Sequence, residues 1–155
     1  MDRSKRSLEE FTVSEDLINK FIETLDIFKK AGIKASDTTS TINGFQTKNI
    51  LNYEVTKELS NEILKIINKD LYLFHIHLIE YFTNGEQLAH NHERTEDYSF
   101  ILYLNDADGN TVFENIGEVK PKKGKLIFFN SDLMHYGKPS IKGKKIAVGA
   151  LRIKE

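Results

Sequence analysis

The chain predicts an α+β fold, with helices gathered on one face of a β-barrel or sandwich, and three features lead there. In the first half, apolar residues recur at three- and four-residue steps, the spacing of one face of a helix. In the second half the period falls to two, in segments rich in β-branched and aromatic residues and bounded by Gly, Asn and Asp. Helices come first and strands follow, which is the order of an α+β domain rather than of alternating βα units. A chain of 155 residues suits one domain with a real core, 1–155, with a mainly helical support over 1–69 and a β core over 70–155.

The elements follow in order. From Leu8 to Ala31, the residues Phe11, Leu17, Ile18, Phe21, Ile22, Leu25 and Phe28 form the dry stripe of an amphipathic helix. Ser14 is the N-cap of its main part, Glu15 and Asp16 fill the first turn, and Gly32 stops it. Residues Lys34 to Leu51 read as polar and irregular, broken at Gly44. A second helix fits Tyr53 to Asn68, with Val55, Leu59, Ile63, Leu64 and Ile67 on one side. Leu71 to Phe82 alternates and reads as a strand, and Asn84-Gly85 is a turn signal before a strand carrying His90. Tyr98 to Leu104 is the next strand, followed by a turn over Asn105 to Asn110, then Thr111 to Phe113 and Val119 to Phe129. A polar loop then delivers His135, and Lys144 to Arg152 closes the series as a terminal strand. Pro121 and Pro139 fall at strand edges, where a missing N–H is tolerated. Phe100, Leu102, Phe113, Phe128 and Ile146 are the candidates for barrel core, some of them under the helices.

Composition excludes several classes of function. Hydrophobic residues at 39% and charged ones at 29% describe a globular chain rather than a disordered or fibrous one. A net charge of −1 with interspersed signs leaves no footprint for a nucleic-acid partner. Cysteine is absent, so disulfides, thiolate catalysis and cysteine-held metals are excluded together, and any metal must take nitrogen and oxygen ligands. The stretch from Met1 to Glu10 has no apolar core of the signal-peptide kind, and nothing approaches the roughly 20 apolar residues of a membrane span. A cytoplasmic protein without a membrane partner is expected.

The chemistry concentrates in the histidines. His90 and His92, one residue apart on a strand, project to the same side, and a third histidine, His135, arriving from a distant strand, closes one face of a metal ion. His75 and His77 share the spacing but sit in a continuous apolar strand, where packing and hydrogen bonding are the expected roles. His90 and His92 instead follow a Gly turn and precede a polar loop with Glu93, Arg94, Glu96 and Asp97, the kind of strand end where function concentrates. In the terminal strand, one of Lys144 and Lys145 faces inward while its neighbour faces water, or both simply protect an edge.

These pieces resemble a known family. Tyr81-x-x-x-Gly85, His90-x-His92, Tyr103-Leu-Asn105, Gly109-x-Thr-x-Phe113, Pro121-x-x-Gly124, His135 and Gly143-x-Lys145 follow the order and near-spacing of the Fe(II)/2-oxoglutarate-dependent oxygenases, in particular the prolyl 4-hydroxylase group. The resemblance covers Tyr81 to Ile153. It implies a double-stranded β-helix, a jelly-roll, cupin-like barrel, with N-terminal supporting helices. It also implies Fe(II) as metal, 2-oxoglutarate as co-substrate, and hydroxylation of a peptidyl (prolyl among them) or small-molecule substrate. Carried over residue by residue, His90 and His135 match the two metal histidines, and Lys145 matches the basic residue that meets the distal carboxylate of 2-oxoglutarate. Tyr103 and Thr111 match positions beside that carboxylate, and Tyr81 lines the same cavity. No catalytic side chain beyond the metal ligands is implied. The polar stretch Glu93 to Tyr98 is the expected rim for substrate.

The departure is at His92, where the family has aspartate or glutamate. Three arrangements follow: His92 ligates, giving His90, His92 and His135 around the metal; Glu93, Glu96 or Asp97 supplies a carboxylate; or the site no longer catalyses. Ligation by His92 is the expected one. The competing class is a cupin-like three-histidine metal protein, since His90-x-His92-x-x-x-Glu96 satisfies the first cupin motif. A cupin, however, places its last histidine sooner after the Pro-x-Gly turn and leaves the lysine unexplained. A binding module on the same barrel, without catalysis, is the third class.

Overall fold

The computed structural model describes residues 8–35, 41–90 and 96–154, and the backbone but not the side chain of His90. Two helices lie on one face of an antiparallel sheet system. α1 (Glu15–Lys30) starts where the Ser14 hydroxyl accepts the N–H of Leu17 at 3.3 Å, with Glu15 and Asp16 at its positive end. α2 (Glu54–Ile67) ends at Asn68, whose left-handed backbone (φ 51°, ψ 50°) turns its N–H back to the Leu64 carbonyl. Leu17, Ile18, Phe21, Leu25 and Phe28 of α1 and Leu59, Ile63 and Ile67 of α2 are buried against the sheet. Each such side chain contributes about 1.5–3 kcal/mol of apolar burial.

The strands are β1 (Glu9–Thr12), β2 (Thr41–Gln46), β3 (Leu71–His90), β4 (Tyr98–Tyr103), β5 (Thr111–Phe113), β6 (Gly117–Val119), β7 (Lys125–Asn130), β8 (His135–Ser140) and β9 (Lys144–Ile153). Their order is β1-β7-β4-β9-β3-β8-β5-β6, with β2 also on β3. The 20-residue β3 links the two halves of the system: Leu71 to Tyr81 pairs with β9, and Gly85 to His90 pairs with β8. The result is the double-stranded β-helix, an α+β fold with supporting helices.

Alternation along the strands divides the core into two clusters. On β9, Ala147 and Leu151 join the cluster under the helices, while Ile146 and Val148 join a second one inside the barrel. On β4, Phe100 and Leu102 turn to the helices, and Ile101 and Tyr103 turn inward. Of the expected barrel core, Phe113 and Ile146 are inside, whereas Phe100, Leu102 and Phe128 lie under the helices. The Phe100 ring packs flat on the strand because residue 149 is glycine; a Cβ there would fall 2.0 Å from a ring carbon.

Several local expectations are corrected. Residues 9–12 are not the start of the first helix but an edge strand on β7, with Phe11 opposite Leu126. The stretch expected to be irregular contains β2, whose Thr41 to Gln46 pair with β3 around a bulge at Asn43. Asn84-Gly85 is not a hairpin turn: Asn84 takes φ 66°, the register shifts beside it, and β3 runs on unbroken to His90. Residues Val119 to Phe129 are two strands, β6 and β7, and His135 opens β8 rather than sitting in a loop. Among the described residues no helix is long and apolar enough to cross a membrane.

Candidate functional site

Two of the three histidines expected to hold a metal, His90 and His135, lie where β3, β8 and β5 pair. His90 and His135 are direct cross-strand partners, and Phe113 of β5 is the partner of His135 on its other side. The His135 ring is 3% exposed, stacked on Phe113 (centroids 5.7 Å) and met edge-on by Phe129 (5.0 Å). Its Nδ1 lies 3.0 Å from the Leu133 carbonyl, which assigns the proton to Nδ1 and leaves Nε2 as the lone-pair nitrogen. A metal-binding histidine needs this support, because a carbonyl on the far nitrogen fixes both tautomer and ring angle. His92 and Glu93 lie outside the described residues. Asp97, one of the alternative carboxylates, accepts the N–H of Ile153 at 2.9 Å and so ties the end of β9. Glu96 is buried and accepts the Ser99 hydroxyl at 2.5 Å.

A second group gathers at the far end of the barrel's inner face, and here the register decides which lysine takes part. Lys144 pairs with Tyr81 across the β3–β9 ladder, and Lys145 with Glu80. Tyr81 and Ile146 belong to the inner cluster, so Lys144, two residues from Ile146, is on that side. Lys144 is 2% exposed, and its Nζ stands 5.0 Å from the Tyr81 ring centroid and donates to the Gly109 carbonyl at 2.8 Å. Lys145, which the resemblance selects, is half-buried on the opposite face beside Glu80, itself paired with Lys29 of α1. The expected inward position of Lys145 is therefore corrected to Lys144, by the two-residue period of a strand. Alternation in the sequence ties Lys144 to the face of Ile146, but which face is the barrel interior is fixed by the pairing with Tyr81.

Tyr81 and Tyr103 belong to one inner cluster, and Thr111 joins it through the Tyr103 hydroxyl. Tyr103 is fully buried and its hydroxyl donates to Thr111 Oγ1 at 2.6 Å. The Tyr81 hydroxyl is buried without a hydrogen-bond partner among the described residues; the nearby Thr41 hydroxyl is committed to Gln46 Oε1 at 2.8 Å. Burial holds both phenols well above their ordinary range, so each is a neutral donor at any working pH. The same burial lowers the Lys144 ammonium to about 8, offset in part by the field of Asp108. No ion pair to Lys144 forms among the described residues.

A buried cation without a carboxylate is costly, and so is a buried phenol without an acceptor. Both are satisfied at once by an anionic oxygen placed between them. One carboxylate of a small dicarboxylate would satisfy both groups at this end. The residues present thus suit both a histidine-held metal and an acid anchored at depth.

Beyond Ile146 the inner face continues through Val148, opposite His77, into a cleft of about 370 Å³ lined by Gln46, Phe74, His75, His77, Glu96 and Val148. His75 Nε2 and His77 Nδ1 are 2.9 Å apart, a hydrogen bond within the pair as the apolar context predicts, and burial lowers the His75 pKa so that its ring favours the neutral form.

A sequence profile of the 2OG-Fe(II) oxygenase superfamily matches residues 68–150, more than half of the chain. A prolyl-4-hydroxylase from Pseudomonas putida superposes with a TM-score of 0.72 at 16% identity, covering 98% of this chain and 95% of that one. A viral collagen prolyl hydroxylase from Paramecium bursaria Chlorella virus-1, solved as a 2OG complex, gives 0.70 at 18% identity, with 95% and 96% covered. The non-heme alpha-ketoglutarate-dependent epimerase SnoN from nogalamycin biosynthesis gives 0.76 at 8% identity, with 97% and 79% covered. At such identities the superpositions speak for the fold. No curated protein sequence matches the chain.

Proposed function

The chain belongs to the 2OG-Fe(II) oxygenase superfamily, a 2-oxoglutarate-dependent dioxygenase by class, and from that premise we propose that it is a hydroxylase of a peptidyl or small-molecule substrate. In this reading His90, His92 and His135 hold Fe(II). The distal carboxylate of 2-oxoglutarate meets the Lys144 ammonium, with the Tyr81 hydroxyl as second donor and the Tyr103–Thr111 pair forming the adjoining wall. Fe(II) and 2-oxoglutarate supply the oxidising chemistry when bound, with succinate and carbon dioxide as by-products. The chain's own part is to orient and to exclude water. Lys144 and Tyr81 fix one end of the co-substrate, the Leu133 carbonyl and the two phenylalanines fix His135, and Ile79, Ile101, Ile127 and Ile146 keep the space between them dry.

The observation that carries this reading is Lys144, a cation sunk in the barrel beside an unpartnered phenol and, among the described residues, with no carboxylate of its own. Prolyl substrates are supported by the prolyl hydroxylases among the structural relatives, and small molecules by the epimerase. The test is calorimetric titration of 2-oxoglutarate into Mn(II)-loaded protein, followed by succinate assay with Fe(II) and dioxygen. Stoichiometric binding that needs the metal, and succinate release, are expected. A metal-loaded protein that takes up no 2-oxoglutarate would overturn the reading.

A further inference from the structure

The Lys144 ammonium is held in place from outside the barrel strands. It donates its hydrogen bond to the carbonyl of Gly109, in the loop between β4 and β5. That loop has little regular pairing of its own, and side chains fasten it. The Asp108 carboxylate accepts three hydrogen bonds from the end of β8 and the β8–β9 connection: Oδ1 from the Ser140 hydroxyl (2.9 Å) and the Lys142 N–H (3.1 Å), and Oδ2 from the Ile141 N–H (2.8 Å). Asn105 completes the clasp, with its Nδ2 donating to the Gly143 carbonyl (3.2 Å) and its Oδ1 accepting the Lys145 N–H (2.8 Å).

Glycine at 109 is required twice over. Its φ is 82°, and a Cβ would stand 2.7 Å from the Lys138 carbonyl. The loop can therefore close on β8 and bring a bare carbonyl to the ammonium. Lys144 begins β9 directly after the connection that Asp108 grips, so both ends of the Nζ–carbonyl bond are set by the same carboxylate.

We propose that Asp108 is a positioning residue for co-substrate binding: by clasping the β4–β5 loop to the β8–β9 connection it holds the Gly109 carbonyl against Lys144 and aims the ammonium at the incoming carboxylate. The inference rests on the reading of Lys144 as the 2-oxoglutarate anchor. Two effects act together. A lysine side chain has several rotatable bonds, and fixing its head before binding removes an entropy cost from the binding step. The Asp108 charge also favours the protonated ammonium, and its three donors keep that carboxyl ionised, at about 2.

The experiment measures 2-oxoglutarate affinity by calorimetry on Mn(II)-loaded wild type, Asp108→Asn, Ser140→Ala, Glu118→Gln and Lys144→Met, together with Mn(II) affinity alone. Asp108→Asn keeps the size but loses the charge and part of the clasp, and should weaken 2-oxoglutarate about tenfold with Mn(II) affinity unchanged. Ser140→Ala removes one donor and should act in the same direction by about two- to threefold, which serves if Asp108→Asn does not fold. Glu118→Gln loses a carboxylate tie to Lys138 on β8, close to the same loop, but leaves every Asp108 hydrogen bond and the Lys144 contact with the Gly109 carbonyl in place, and should bind 2-oxoglutarate as wild type does. If Lys144→Met loses 2-oxoglutarate while the Asp108 and Ser140 variants keep it, the positioning role is wrong. It is equally wrong if the Asp108 variant loses Mn(II) in equal proportion, since that is general loosening. If Lys144→Met itself binds normally, the underlying reading fails instead.

Discussion

Lys144 lies across the β3–β9 ladder from Tyr81 with its ammonium 5.0 Å from the ring centroid, while the next pair, Lys145 and Glu80, turns to the helices. Two adjacent lysines of one strand thus stand on opposite faces of the sheet. Lys144→Ala should weaken 2-oxoglutarate binding by about 2–5 kcal/mol, the cost of truncating one partner of a buried charge pair. Lys145→Ala should change it by less than about 0.5 kcal/mol. The measurement is calorimetry on the Mn(II) form, and equal losses in both variants would contradict this facing of the two lysines.

The lowered Lys144 pKa, about 8, gives a pH dependence with a definite sign. Above that pH the free protein's ammonium is progressively neutral and must regain a proton to meet the carboxylate. Affinity for 2-oxoglutarate should therefore be flat below about pH 8 and fall toward roughly one decade per pH unit above it. Folding stability of the ligand-free protein runs the other way. The unfolded chain holds the Lys144 proton up to its ordinary pKa of 10.5, so the burial penalty is present in full below about 8 and is relieved between about 8 and 10.5. The relief is on the order of 3 kcal/mol. Comparison of wild type with Lys144→Met in denaturant titrations at several pH values reads this directly, and parallel pH profiles would exclude it.

His135 carries the metal prediction. Saturating Mn(II) or anaerobic Fe(II) should raise the melting temperature of wild type, because a ligand that binds only the folded state adds about 2.7 kcal/mol at a hundredfold excess over Kd. His135→Ala should abolish the shift. His75→Ala should keep it, since that ring is hydrogen-bonded to His77 in the cleft beyond Val148. A shift that survives in His135→Ala would remove this histidine from the ligand set.

His92 is where the chain departs from its family, and four substitutions separate the possibilities. With a three-histidine site, His92→Ala should lose metal by more than the roughly 10–100-fold that removal of a merely supporting group costs. His92→Asp should retain iron and release succinate if the site tolerates the family's usual carboxylate. Should His92→Ala bind Mn(II) like wild type, the ligand would pass to a carboxylate, and loss of metal in Glu96→Gln or Glu93→Gln would identify it.

Much of the fold was legible because its information is local. The apolar stripes of α1 and α2, Ser14 as N-cap and the alternation of β4 and β9 are dictated within a few residues by period, capping and β-branching. The ordered series of motifs from Tyr81 to Lys145 likewise pointed to the family that the sequence profile matches. Tertiary structure alone decided the rest. Glu9–Thr12 and Thr41–Gln46 have no convincing strand pattern and are strands because β7 and β3 offer them partners. Asn84 is a bulge rather than a turn because β3 has β2 on one side and β8 on the other to hold it straight. The choice of Lys144 over Lys145 is the sharpest case. A strand shows one face to the barrel and the other to the helices, and a shift of one residue exchanges them. Which face is which was settled by pairing with Tyr81, 63 positions away in the chain, through contacts that no local pattern encodes.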